Sequence, residues 1–229
     1  MSTIFDYFSM MLPFLRARTE QFFNHSGIYI TETHTLFGAY DVCDYGTAAK
    51  DRGPDDLNPG LEDSQWIGLD FAGDAGLPEL SVMLLDFYAH TNNDEKMSSY
   101  LPLLSETLEF FYQHYARDQQ GYLSVFPTQA LETYWCLRPN SFENCPVNDA
   151  PTISALHVLT RRALQLPNHI TSESQRTMFT KLQEILPDVP ITTDPQSGAR
   201  VVSPFEQYPA AQSIHNSETP ELYVVVSDQ

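Results

Sequence analysis

Apolar residues recur at helical spacing in five stretches of this chain, and two long stretches between them show no period. In the first, Ile4, Phe8, Met11, Leu12, Leu15 and Phe22 keep that spacing through Arg16 and Arg18, which predicts an amphipathic helix. Asp6 interrupts its apolar start and no basic segment precedes it, so it does not read as a signal peptide. Leu80, Met83, Leu84, Phe87 and Tyr88 mark a second helix. Leu101, Leu104, Leu108, Phe111, Tyr112 and Tyr115 mark a third, with Asn92, Asn93 and Asp94 as the turn of an αα-hairpin. Ser98 or Ser99 is the expected cap of the third helix, which puts Pro102 in its first turn, where a missing N–H costs little.

A second hairpin follows. Asp149 caps a helix with Pro151 in its first turn and Ile153, Leu156, Leu159 and Ala163 facing inward. Ser172 and Gln175 form a capping box for the next, which carries Met178, Phe179, Leu182, Ile185 and Leu186. Beyond it, Ile191 to Thr193 and Ala199 to Val202 read as the arms of a small β-hairpin whose tip is Asp194 to Gly198.

The aperiodic segments, about 24–70 and 118–148, are too long for ordinary connectors, and loops of that length are usually functional. The first holds Tyr29, Phe37, Tyr40, Tyr45 and Trp66, which favour order, and the second begins with a short β-like run, Gly121 to Phe126. Helix pairs alternating with such loops predict an all-α fold over residues 1–229, a partial toroid with small β insertions. The loops would collect at one end and form the site. Other all-α arrangements have the same periodicity, and no internal sequence repeat marks a solenoid.

At 229 residues, 42% of them hydrophobic, the chain can build a substantial core. Its 12 Lys and Arg against 30 Asp and Glu give a net charge of −18, which repels phosphate backbones and anionic lipid, so neither nucleic acid nor membrane is expected as a partner. No run approaches the roughly 20 apolar residues of a membrane span. Cys43, Cys136 and Cys145 have no metal-ligand spacing, and Asp41, Asp44, Asp51, Asp55 and Asp56 lack that of an EF-hand, so no metal or cofactor is expected. His25, His90, His114, His157, His169 and His215 are scattered and read as structural or exposed. Asn24-His25-Ser26 matches a glycosylation acceptor pattern.

No nucleotide loop, serine elbow, HExxH or catalytic Cys/His signature is present. Carboxylates bedded among aromatics remain: Glu32, near Tyr29, His34 and Phe37, and Glu132, between Phe126 and Tyr134-Trp135. Rings stack on sugar faces and lower the local dielectric that raises a carboxyl pKa, which suits glycoside hydrolysis. Each glutamate also has a plain reading as a loop-tethering acceptor or a surface charge. Trp66 and Trp135 serve equally as sugar platforms or as packing.

Four ordered blocks carry a resemblance: Asn24 to Gly38, Leu84 to Tyr88, Pro127 to Thr133, and Asn216 to Tyr223. Together they resemble an uncharacterised domain family of the six-hairpin, or (α/α)6, glycosidases, and more distantly the 1,2-α-L-fucosidase family. The resemblance implies a glycoside hydrolase, expected to be inverting, with carbohydrate as partner and with Glu132 as general acid. It implies Glu32, His34, Tyr29, Gln129, Trp135, Asn148 and Glu218 as substrate-binding residues. It also implies an extracellular or lysosomal setting. Where related sequences carry an acidic residue, this chain has Thr152. The last fourteen residues run from a polar turn into an apolar run that stops short, which reads as a toroid incomplete at its C-terminus and lacking the catalytic base. A non-catalytic carbohydrate-binding protein is the competing expectation.

Overall fold

The computed structural model describes residues 2–30, 77–126, 128, 130–131, 133–134, 146–207 and 218–222. Five long helices account for most of the regular structure among them: α1 (Ser2–Phe23), α2 (Leu77–Thr91), α3 (Asp94–His114), α4 (Ala150–Gln165) and α5 (Glu173–Ile185). The all-helical expectation therefore holds at the level of a mainly-α fold. The strands among the described residues are four, each of three residues: β1 (Val147–Asp149), β2 (Ile191–Thr193), β3 (Arg200–Val202) and β4 (Phe205–Gln207).

Contacts run α2 on α3 and α4 on α5 within the two hairpins, and α1 on α3, α3 on α5 and α2 on α4 between them. That connectivity is one of two layers, α1, α3 and α5 in one and α2 and α4 in the other. α3 touches all four other helices and is correspondingly apolar inside, with Met97, Leu101, Leu103, Leu104, Leu108, Phe110 and Phe111 buried. α5 is a covering helix, burying only Phe179 and Leu182, whereas α4 is buried over nearly its whole circumference.

The caps largely follow the sequence. Asp149 accepts the Thr152 N–H at 2.8 Å to start α4, and Ser172 and Gln175 make their reciprocal capping box at the head of α5. One cap differs. α3 starts at Asp94, not near Ser98, because the Asn93 side chain accepts the Lys96 N–H at 2.9 Å. Pro102 is consequently inside α3, as Pro13 is inside α1, and not in a first turn. Ile4, expected inward, is 43% exposed, and Phe5 takes the core position instead.

β2 and β3 pair as the expected hairpin, Ile191 opposite Val202 and Thr193 opposite Arg200, and the Asp194 carboxylate accepts from the N–H groups of Gln196 and Ser197 to shape its tip. The second ribbon was not legible in the sequence: β1 pairs antiparallel with β4, Val147 opposite Gln207 and Asp149 opposite Phe205. No helix among the described residues is long and apolar enough to cross a membrane.

Candidate functional site

The end of the molecule at the N-terminus of α4 is where the loops meet. β1 leads directly into α4, and its far edge takes a third segment: the Asn148 N–H donates to the Val125 carbonyl at 3.0 Å and the Thr128 N–H to the Pro146 carbonyl at 3.3 Å. The Ala150 N–H is taken by the Pro204 carbonyl at 2.8 Å, and a 3-10 turn, Pro220–Leu222, also packs against α4. Segments from three places in the chain, 125–128, 146–149 and 204–207, thus meet at the start of α4.

The register of the ribbon pairs Asp149 with Phe205 and sets Asn148 opposite Glu206. Asn148 holds φ at +52°, a conformation an Asn tolerates better than most residues. Both ends of its amide are engaged, Oδ1 accepting the Val125 N–H at 2.7 Å and Nδ2 donating to Glu206 at 2.5 Å. The Glu206 carboxylate is exposed, so the pair presents a fixed carboxylate at the surface.

Asp149 is 2% exposed. Its Oδ2 accepts the Thr128 hydroxyl at 2.6 Å and its Oδ1 the Thr152 N–H. Burial pushes this carboxyl above the usual range, and its hydrogen bonds from Thr128 and the start of α4 oppose that only in part. Phe205 meets the Tyr134 ring edge-on, with centroids 5.0 Å apart, and burial followed by the nearby Glu221 charge raises the Tyr134 phenol.

Ala130 and Tyr134 exchange backbone hydrogen bonds at 3.1 and 3.2 Å, and Leu131 takes φ +52°. The Thr133 hydroxyl donates to the Glu218 carbonyl at 3.2 Å. Chemically the arrangement offers one buried carboxyl whose pKa burial raises, one exposed anchored carboxylate and an aromatic pair.

Of the residues singled out from the sequence, Asn148 and Glu218 come to this end, Glu218 exposed with its carbonyl bonded to Thr133. Tyr29 is elsewhere, 6% exposed between Phe23 and Phe110 in the core, so it offers no open ring face. Glu132, Glu32, His34, Gln129 and Trp135 lie outside the described residues. Sequence reasoning read Asp149 as a cap alone and passed over Thr128 and Glu206. The only sequence signal for that cluster was the cap itself, because the ribbon joins strands 58 residues apart, as the Asn148 to Glu206 bond records.

The scattered histidines also prove partly organised. His25 faces His114 at 3.0 Å and reaches the Ser26 carbonyl at 2.7 Å within a ring cluster of Phe23, Tyr29 and Phe110, and burial lowers its pKa. Among the described residues no group of His, Cys, Asp and Glu is arranged to hold a metal ion.

No protein-family model matches this chain, and no curated protein matches its sequence.

Proposed function

We propose that this chain is a glycoside hydrolase-like protein of the (α/α)6 kind, hydrolysing oligosaccharides by general acid/base chemistry with inversion. The observation that carries the reading is the convergence of loops on the N-terminus of the most buried helix. The two-layer connectivity of consecutive hairpins supports a toroid segment. Glycoside hydrolysis needs one carboxyl protonated at working pH and a second group to activate water, set beside rings that take the sugar face. Glu132 is proposed as the acid on the resemblance alone. Glu32, His34, Gln129 and Trp135 are proposed as sugar contacts on the resemblance alone.

A non-catalytic carbohydrate-binding role is favoured by one observation: Thr152, fully buried in the first turn of α4, stands where the resembled family has an acid. The test is reducing-sugar release from fucosylated, galactosylated and glucosylated oligosaccharides, with sugar binding measured in parallel. Release abolished by Glu132→Gln sustains the hydrolase. Binding without release selects the second reading, and neither activity in a folded sample refutes both.

A further inference from the structure

After α1 the chain turns back, and residues 25–28 lie along α3, fastened there by polar side chains. The Ser26 hydroxyl donates to Glu109 at 2.6 Å and accepts from the Gln113 amide at 2.8 Å. His25 and the buried His114, whose ring centroids are 5.2 Å apart, face each other through Nε2 and Nδ1 at 3.0 Å. A third contact assigns the roles of those nitrogens. His25 Nδ1 lies 2.7 Å from the Ser26 carbonyl, which can only accept, so Nδ1 carries a proton. In the neutral ring Nε2 is then the acceptor, and His114 Nδ1–H donates to it.

This pair has room for one extra proton but not for two. One extra proton leaves an imidazole beside an imidazolium, with a single N–H still pointing at a lone pair between them. With a second, both facing nitrogens carry N–H groups, and two cations meet among the rings of Phe23, Phe110 and Tyr115. Among the described residues, the charges facing His25 are Glu20 from α1 and Glu109 from α3. Glu106, a turn earlier on α3, is forked to Arg16, and the phenols of Tyr29 and Tyr115 stay neutral in acid. We infer that the His25–His114 pair is a proton-operated clasp, which holds residues 25–28 on α3 and releases them when both rings are cations. Burial lowers the His25 pKa, and the Ser26 carbonyl and the two carboxylates offset that only in part, so release belongs below the ordinary histidine range. The clasp stands apart from the hydrolase reading.

The test follows both rings by NMR from about pH 8 to about pH 4, together with hydrogen exchange of the Ile28 N–H, which donates to the Glu106 carbonyl beside the clasp. Exchange is read as a protection factor, so that its intrinsic pH dependence cancels. Wild type should show two separated midpoints for the coupled rings. Ile28 protection should fall by about 10-fold, the worth of one hydrogen bond, as the second proton binds, while the amides of α4 and α5 keep theirs. His114→Asn sets an amide near the place of Nδ1, and His25→Gln sets one near that of Nε2. Either amide can turn to accept as well as donate, so in both variants Ile28 protection should stay level over the same range. Two variants guard against one that does not fold. Ile28 protection that stays level in wild type after both rings have titrated overturns the inference. So does an equal loss in the variants, or a loss shared by all the helices, which would mark unfolding of the whole chain.

Discussion

Gly27 is the position where a single methyl group should do the most damage. The segment after α1 turns back at Asn24 and lays Gly27 on α3, so closely that a Cβ there would stand 2.6 Å from the Phe110 nitrogen, 2.7 Å from its Cα and 3.0 Å from the Glu106 carbonyl oxygen. These are backbone atoms in the middle of a packed helix and cannot rotate away. Ordinary carbon contacts need about 3.5 Å, so in Gly27→Ala the segment must retreat by almost 1 Å. Gly27 also holds φ at +101°, which costs a residue with a Cβ about 1–2 kcal/mol. The retreat strains the Ile28 N–H bond to the Glu106 carbonyl, now 3.0 Å, a loss of about 1 kcal/mol. It also opens the packing of Ile28, Tyr29 and Ile30, buried to 1%, 6% and 3% exposure, where losing even half of one such side chain's burial is about 1 kcal/mol. Together these predict a destabilisation of about 3–4 kcal/mol, or roughly 6–16 °C in melting temperature for a chain of this size. Thermal and urea denaturation of Gly27→Ala against wild type measure it. A change below about 1 kcal/mol would refute the close docking of this segment on α3.

Other parts of the fold give smaller and differently signed expectations. Arg16 of α1 grips Glu106 of α3 with two bonds, at 2.6 and 2.5 Å, but half-exposed, so a double-mutant cycle to Ala should report about 0.5–1 kcal/mol, weakening in high salt; no coupling would show that the fork is not populated. Ser172→Ala removes the capping box of α5 and should cost about 1 kcal/mol in denaturant titration, with Ser172→Asp recovering most of it. His25 is held neutral by burial, so the unfolded chain takes its proton first as pH falls. Its contribution is complete above the unfolded value of about 6.5 and declines as pH drops from there toward the folded value. An NMR titration should find the His25 midpoint below 6.5, and a midpoint above it would mean that Glu20 and Glu109 outweigh burial. Asp149 runs the other way, because its raised value makes the native state lose stability as pH rises through it. Thermal melts of Asp149→Asn against wild type should therefore show the variant gaining relative stability from acid toward neutral pH, and the opposite trend would overturn the burial account.

Local chemistry fixed by neighbours in the chain could be read without coordinates. The 3.6-residue spacing of Leu80, Leu84, Leu101, Leu104, Leu108, Ile153, Leu156 and Leu159 predicted buried faces, and all eight are buried. Asp149 and Ser172 were legible as caps because a cap acts within three residues. The same locality explains the miss at α3: Ser98, Ser99 and Asn93 are all plausible caps by type, and only the helix start seen in space chooses Asn93. Likewise Phe5 rather than Ile4 faces the core of α1, a rotation of one position that depends on how α1 sits against α3.

What no spacing rule contains is which distant segments meet. The β1–β4 ribbon, the Thr128 bond to Asp149, the Asn148 hold on Glu206 and the His25–His114 contact join residues 21 to 89 positions apart. Each replaces water on polar groups that distant segments bring together, so each exists only once those segments have packed. The sequence by itself determined the helices, the caps of α4 and α5, and the acidic, loop-rich character of the chain. The tertiary structure decided that Asp149 is buried beside neutral partners and that the loops gather over α4, because burial and long-range pairing are properties of the packed layers and not of any residue's neighbours in the chain.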